Sequence, residues 1–383
     1  MESRSPKEIG RRQFIKMAGV AGMALVGAAC APAAAPTAAP AATSKPAAAT
    51  VAAPTAAPAA AQATPTFKPA TVKMGSIKAT SDAGIYVAME RGYFTEQGIT
   101  METRVFGSGA EMLAPITTGD IDMYGSGIAT GILAAIDRGI GLKVVADKGT
   151  SSPGFEFAQI VLRKDLADSG QIKDIKDIKG KKVAVTSLAG NSEASVAYMI
   201  KQANLTIKDI DLMPLPYVDM IAALTNKGLD AADMTEPTLS RVIANGSAVK
   251  WPQGARSFTY GGKYQAGVLI FSAQFAKNVD VARRFMIGYL KGIRDYNDAF
   301  IKGKGKSDII KILTKYTALT DPAQYEKMEM PGLNPDGTPD IRTLGMDFDY
   351  FKQMGYYTGK LTINDVVDTQ FAEYAAKQLG PYK

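Results

Sequence analysis

Two parts of the chain repeat one order of strands, turns and helices, and this recurrence limits the fold more than any other feature. The first part begins with the β-type run VKMGSI (72–77), a polar turn and the helical segment IYVAMERG. About 109 residues further on, KVAVTS (182–187), the turn LAGNSE and the helical segment ASVAYMIKQA follow in the same order. Alternating strands and helices predict a mostly parallel sheet flanked by helices, so we expect one such sheet in each part.

The chain is too long for a single hydrophobic core and is expected to form two lobes. It has 383 residues, whereas single cores stop growing at about 250–300 residues. The segment QAGVLIFSAQFAKN is similar to FAQIVLRKDLAD, which indicates one crossing between lobes near residue 160 and a return near residue 268. We predict an α/β protein with lobe 1 at 71–160, lobe 2 at 161–265, and a return crossing with C-terminal helices that pack on lobe 1 at 266–383. Two crossings would form a hinge.

The first 30 residues have the order of an export signal that ends at a lipidated cysteine. Basic residues, including Arg11 and Arg12, precede an apolar run at 17–29 that is too short to span a bilayer. The segment RRQFIK is similar to a twin-arginine signal. LVGAAC is similar to a lipobox before a lipidated Cys30, although Gly27 stands where leucine is usual. The alternative is that Cys30 is a small apolar residue of a core helix.

Residues 31–70 consist almost entirely of alanine, proline and threonine. Repeated proline prevents a helix, and without large apolar side chains nothing offsets the entropy of ordering the segment. We therefore predict a disordered, semi-extended tether that lets a folded body move above a membrane surface while it stays attached.

The residue types that are missing exclude several kinds of catalysis. The chain contains no histidine and a single cysteine, so Ser-His-Asp, Cys-His and His-zinc chemistry are excluded and no disulfide can form within the chain. Seven basic and two acidic residues lie in 1–70, so this segment carries most of the net charge of +7. We therefore expect no enzyme activity, no metal site, no cofactor and no binding to nucleic acid.

Polar loops follow the strands of both predicted sheets and form the candidate binding site. Ligands of open parallel sheets bind beyond the carboxyl ends of the strands, where unpaired backbone N–H groups and small residues admit acceptor oxygens. The candidate ligand-binding residues are Ser81, Asp82, Ser108 and Ser126 in lobe 1, and Ser187, Asn191, Ser192, Tyr217 and Glu236 in lobe 2. An ionised Asp82 beside the solute would disfavour a bare anion and favour a neutral or amine-bearing molecule.

Several of these residues have a purely structural alternative. Four of them would suit the N-caps of the following helices, namely Ser81, Asp82, Asn191 and Ser192. The aromatic residues Phe155, Tyr217, Tyr260 and Tyr264 would form either a wall against a planar solute or part of the core and hinge. Asp347 and Asp349 lack the spacing of a calcium loop and are expected at the surface.

Four segments of the chain resemble one known family of solute receptors. They are AGIYVAMERGYFTEQGITMETRVFGSGAEMLAPITTGDIDMYGSG, IKDIKGKKVAVTSLAGNSEASVAYMIKQANL, DMIAALTNKGLDAADMTEP and LTINDVVDTQF. These segments are similar to periplasmic-binding-protein-like receptors for sulfonates, taurine and nitrate, and to the THI5/NMT1-like proteins that bind thiamine-pyrimidine precursors. The resemblance implies a type II fold in which two lobes close over a small-molecule solute.

The resemblance also implies how such a receptor would act. The receptor would be an extracytoplasmic monomer that its lipid anchor holds at the membrane. It would pass its solute to an ABC permease in the cytoplasmic membrane. Two alternatives are a lipoprotein that uses the same fold for signalling or partner binding, and an enzyme on this fold. Pyrimidine-synthesising relatives of the THI5 type depend on His and Cys, which the body of this chain lacks.

Overall fold

The structure is a computed structural model that describes residues 67–383. The predicted export signal, Cys30 and nearly all of the predicted tether lie outside the described residues. The described part contains ten strands: β1 (Ala70–Ser76), β2 (Ile99–Val105), β3 (Met123–Ser126), β4 (Lys143–Ser151), β5 (Ala158–Arg163), β6 (Lys182–Val185), β7 (Asp211–Pro214), β8 (Ala231–Thr235), β9 (Ala248–Ala255) and β10 (Tyr264–Phe271).

The helices follow the strands in the alternation that the sequence predicts. They are α1 (Ala83–Glu90), α2 (Leu113–Thr118), α3 (Thr130–Asp137), α4 (Lys164–Asp168), α5 (Asn191–Lys201), α6 (Tyr217–Thr225), α7 (Thr238–Ala244), α8 (Arg256–Thr259), α9 (Ala273–Lys277), α10 (Val279–Phe300), α11 (Lys306–Tyr316), α12 (Pro322–Tyr325), α13 (Ile341–Gln353), α14 (Ile363–Val366) and α15 (Gln370–Leu379). Short 3₁₀ helices lie at Thr80–Asp82, Thr95–Gln97, Ala110–Met112, Ile175–Ile178 and Ile207–Asp209.

The strands form two five-stranded sheets with the same topology. The order is β2-β1-β3-β10-β4 in lobe 1 and β7-β6-β8-β5-β9 in lobe 2. Strand β1 is parallel to β2 and β3, as β6 is to β7 and β8. Strands β10 and β5 run antiparallel to both of their neighbours. Each sheet is therefore mixed, with a single antiparallel strand, and the predicted two-lobed α/β fold is confirmed.

The chain crosses between the two sheets twice. The strand that follows each crossing is the antiparallel strand of the sheet that it joins. Strand β4 leads through residues 152–157 into β5, and β9 leads through α8 and residues 260–263 into β10. The expected lobe boundaries after residues 160 and 265 fall inside β5 and β10. The sequence does not reveal this shift, because a short apolar run shows its strand character but not the sheet that it joins.

Helices α1 and α10 pack closely against each other in lobe 1. Along α10, apolar residues such as Phe285, Tyr289 and Ile293 are buried at helical spacing. A Cβ atom on Gly292 would lie 2.0 Å from the carbonyl oxygen of Gly84 in α1. The absence of a side chain at this position therefore allows the two helix backbones to touch.

The C-terminal helices are expected on lobe 1, and one of them also contacts lobe 2. Helix α15 packs on α10 and β4, whereas α13 packs against both β10 of lobe 1 and α5 of lobe 2. The Tyr350 hydroxyl on α13 donates to Glu193 Oε1 on α5 at 2.6 Å, and Tyr198 on α5 donates to the Met346 carbonyl at 2.8 Å. Helix α13 thus connects the lobes outside the two crossings.

Among residues 67–383, none of the helices combines the length and the apolar character that crossing a membrane requires.

Candidate functional site

A cavity of about 230 Å³ is lined by both lobes. In lobe 1 its wall contains residues that follow β1, β2 and β3, including Ser81, Ser108 and Gly127. In lobe 2 it contains residues at or after the ends of β6 and β8, including Ser187 and Thr235. These positions are the carboxyl ends of parallel strands, where ligands of open α/β sheets bind.

Seven of the nine predicted binding residues line this cavity, namely Ser81, Ser108, Ser126, Ser187, Asn191, Ser192 and Tyr217. The structure thus brings together polar side chains from two sequence regions that are far apart. Their contact with a solute stays a prediction. The remaining two, Asp82 and Glu236, are buried and do not belong to the cavity wall.

Asp82 points into lobe 1 and forms an ion pair there. Its Oδ1 lies 2.8 Å from Nζ of Lys148, and its Oδ2 accepts hydrogen bonds from the hydroxyls of Ser76 and Tyr86, both at 3.2 Å. Lys148 lines the cavity and also donates to Ser81 Oγ at 3.1 Å. Asp82 therefore does not line the cavity, whereas its partner Lys148 does, and contact of Asp82 with a solute stays a prediction.

Glu236 stabilises the beginning of α7. Its two carboxylate oxygens accept hydrogen bonds from the backbone N–H and the hydroxyl of Ser240, at 2.9 and 2.7 Å. Burial raises the pKa of Glu236 to about 7, against the lowering effect of the Ser240 hydrogen bonds. Its neighbour Thr235 lines the cavity instead.

Lobe 2 contains a second buried ion pair next to the cavity. The guanidinium of Arg256 pairs with the carboxylate of Asp233, with Nε at 3.2 Å from Oδ1, and lies over the ring of Tyr264. The Ser192 hydroxyl donates to Asp233 at 2.5 Å and accepts from the Thr186 N–H at 3.1 Å. Ser192 therefore ties the cavity wall to the ion pair.

The lobes meet directly at one edge of the cavity through a short antiparallel bridge. The Thr130 N–H donates to the Ala189 carbonyl, and the Asn191 N–H donates to the Ile128 carbonyl, both at 3.0 Å. The side-chain amide of Asn191 also donates to the Ala266 carbonyl at 3.0 Å. Asn191 thus contributes to the contact between lobes as well as to the cavity wall.

The N-cap alternative is not supported by the hydrogen bonds at α1 and α5. The N-cap of α1 is Asp82, whose side chain makes no capping hydrogen bond, and the N-cap of α5 is Gly190. The carboxylate of Asp82 and the hydroxyl of Ser192 instead form the contacts described above.

Tyr260 and Tyr264, two of the aromatic residues considered for the cavity wall, are buried and contact helix α13. The hydroxyls of Tyr260 and Tyr264 donate to Asp347 on α13, at 2.7 and 2.9 Å. The expected surface position of Asp347 is wrong, since its relative exposure is 0%, whereas Asp349 is exposed as expected. Phe155 does not line the cavity, whereas Phe157 does.

The buried position of Asp347 predicts a pH-dependent stability. Burial raises its pKa from 3.8 to about 7, although the two tyrosine hydrogen bonds lower it. Between these values Asp347 binds a proton in the folded protein and not in the unfolded chain, so its contribution to the free energy of unfolding is largest at low pH and is lost as pH rises through about 7. The largest slope is about 1.4 kcal/mol per pH unit for one proton.

We expect Asp347→Asn to reduce this fall when urea unfolding is compared at about pH 5 and about pH 8. Glu236 contributes a fall of the same sign and remains in the variant. Asp349→Asn is the matched control, because its carboxylate is exposed. A pH dependence of Asp347→Asn as steep as that of the unchanged protein would contradict the assignment.

Residues missed by the sequence analysis complete the wall. They include the two charged residues Lys148 and Arg256, and Tyr124, Thr130 and Phe157. Tyr124 directly precedes the GSG segment (125–127) that contains Ser126, and Thr130 follows it by three residues, so their positions near this segment are a local signal. Lys148 and Arg256 have no local motif, since only the packing of a strand and a helix start brings them to the cavity.

Within the described range 67–383, no group of three or more acidic or cysteine side chains is placed to hold a metal ion.

Two mixed sheets joined by two crossings, with a cavity lined by residues of both lobes, define a periplasmic-binding-protein-like fold. The model of the family described as NMT1/THI5 like matches residues 79–298. This match covers more than half of the chain, and the protein belongs to the NMT1/THI5-like family. No curated protein sequence is significantly similar to it.

Solved structures share the fold at low sequence identity. The alkanesulfonate-binding protein SsuA from Xanthomonas axonopodis pv. citri, bound to MOPS, is 19% identical with a TM-score of 0.63, and the match covers 79% of this chain and 100% of that one. The ligand-binding component of an ABC-type import system from Staphylococcus aureus is 14% identical with a TM-score of 0.65, covering 80% and 98%.

An enzyme also shares this fold. The desulfurization enzyme DSZB is 12% identical with a TM-score of 0.55, and the match covers 81% of this chain and 99% of the enzyme. The similar structures are nevertheless mostly described as binding proteins. The expected lack of enzyme activity stays a prediction.

Proposed function

We propose that the protein is an extracytoplasmic receptor that captures a small organic solute between its lobes and delivers it to an ABC importer. The cavity carries the main support, because its wall takes polar side chains from both lobes. A solute that touches both lobes at once binds the closed arrangement better than an open one, and this difference in affinity drives closure. Similarity to a component of an ABC-type import system supports the second part of the proposal.

Two measurements on the purified full-length protein test this function. Mass spectrometry of small molecules released by denaturation should identify a bound solute. Adding that solute to the stripped protein should raise the unfolding temperature and reduce the radius of gyration in solution scattering, because ligand binding stabilises the closed form. A protein that releases no solute, and whose unfolding temperature no metabolite changes, would contradict the proposal.

Asn191→Ala and Tyr217→Ala are each expected to weaken solute binding roughly three- to thirtyfold. The first removes a hydrogen bond between lobes, and the second removes an aromatic surface of the wall. Calorimetry with the released solute measures both effects. Asn245→Ala is the control, since Asn245 is exposed and outside the wall. Unchanged affinity in both site variants would remove these residues from the site.

Cys30→Ser is expected to release the protein from membranes without a change in its fold. A buried lipid chain contributes about 0.8 kcal/mol per methylene to membrane affinity, so its loss would remove the main anchor. Membrane fractions washed with carbonate should therefore retain the unchanged protein and lose the variant. Equal retention of both would contradict lipidation at Cys30.

A further inference from the structure

The cavity wall contains two cationic side chains, and each is neutralised by a buried carboxylate. Lys148 pairs with Asp82, and their side-chain exposures are 3% and 1%. Arg256 pairs with Asp233, and their exposures are 2% and 0%. Among the described residues, the wall contains no other charged side chain. The wall and its direct ionic partners therefore carry no net charge.

The carboxylates are fixed in place by hydrogen bonds from within their own lobes. Asp82 accepts from Ser76 and Tyr86, and Asp233 accepts from Ser192. These contacts oppose any movement that would free a cation for an incoming anion. Separating the partners of a buried ion pair is strongly unfavourable, because it leaves an uncompensated charge away from water.

The wall also offers hydroxyl groups that other described residues do not use. The hydroxyls of Tyr124, Ser126 and Ser187 line the cavity, and we find no hydrogen bond from them to any residue in 67–383. A hydroxyl both donates and accepts hydrogen bonds, so it suits amide, hydroxyl or ring-nitrogen groups. Apolar side chains complete the wall, among them Leu113 and Ile132.

We propose that the captured solute has no net charge and combines an apolar part with groups that both donate and accept hydrogen bonds. A sulfonate, carboxylate or phosphate would be buried here without a counter-charge, and burying an unpaired ion is far less favourable than burying a hydrogen-bonded neutral group. This inference rests on the proposed receptor function and specifies its class of solute.

The identity of the solute released from the full-length protein decides the inference. We expect a molecule that is uncharged at neutral pH and that rebinds to the stripped protein. A released sulfonate, carboxylate, phosphate or nitrate that rebinds would overturn the neutral class and leave the receptor function standing. Release of no solute, with no rebinding of any metabolite, would overturn the receptor function and this inference with it.

A charge variant provides an independent test with defined probes. Asp82→Asn leaves the Lys148 charge uncompensated, so the affinity ratio of benzenesulfonate to benzenesulfonamide should rise at least about tenfold over the unchanged protein. Asp233→Asn frees Arg256 in the same way and is used if Asp82→Asn does not fold. An unchanged protein that binds benzenesulfonate more tightly than benzenesulfonamide, with the same ratio in the variant that folds, would overturn the inference.

Discussion

Asp233→Ala is expected to lower the free energy of unfolding by about 3–5 kcal/mol. The substitution leaves the guanidinium of Arg256 buried without its counter-charge, since Arg256 is only 2% exposed. It also removes the acceptor of the Ser192 hydroxyl. Urea unfolding of the stripped protein at neutral pH measures the loss, because a bound solute would add its own stabilisation.

The matched control for this substitution is Asp168→Ala. Asp168 pairs with Lys164 at 2.7 Å, but both side chains are about half exposed. Exposed pairs contribute roughly 0–1 kcal/mol, because water screens the charges and the side chains lose entropy on pairing. If Asp233→Ala destabilised the protein no more than Asp168→Ala, the ion pair with Arg256 would have no structural role.

Gly292→Ala is expected to destabilise the protein by about 1–3 kcal/mol or more, as overpacking of a tight core does. The added Cβ would lie 2.0 Å from the Gly84 carbonyl oxygen and 2.9 Å from the Ala88 nitrogen. These are backbone atoms, so relief requires α1 and α10 to move apart and to loosen the contacts of the lobe 1 core.

Gly345→Ala, in α13, is expected to raise the free energy of unfolding, whereas Gly292→Ala lowers it. Apart from its chain neighbours and the backbone of its own helix, nothing lies within 4 Å of the position that its Cβ would take, so the substitution adds helix propensity without a clash. Alanine is favoured over glycine in a helix by about 0.5–1 kcal/mol. Thermal or urea unfolding of both variants tests the argument. A stabilising Gly292→Ala would show that the close contact of α1 and α10 is not required.

The sequence predicts the two-lobed fold because its signals are local and repeated. A strand, a polar turn and a helix can each be recognised from side-chain spacing and glycine positions, and their recurrence predicts one topology twice. The cavity loops follow from the same rule, since the carboxyl ends of parallel strands converge. Ser108, Ser126 and Ser187 are found in this way.

Sequence patterns cannot predict the position of a side chain when that position depends on partners distant in the sequence. Asp82 follows a strand like the other candidates, but its carboxylate contacts Lys148 on β4, Ser76 and Tyr86 and does not line the cavity. Asp347 has the pattern of a surface residue, but two tyrosine hydroxyls from the return crossing allow its burial. Local spacing contains no information about these tertiary contacts.

The two crossings of the chain between the sheets have a consequence for the order in which the sheets can form during synthesis. All strands of the second sheet lie between residues 158 and 255, whereas β10, which lies between β3 and β4 in the first sheet, begins only at Tyr264. As the chain leaves the ribosome, the second sheet therefore has all its strands before the first. Until β10 emerges, β3 and β4 expose unpaired edges, which are sites for aggregation or chaperone binding. The N-terminal lobe, although synthesised first, is the last to complete its sheet.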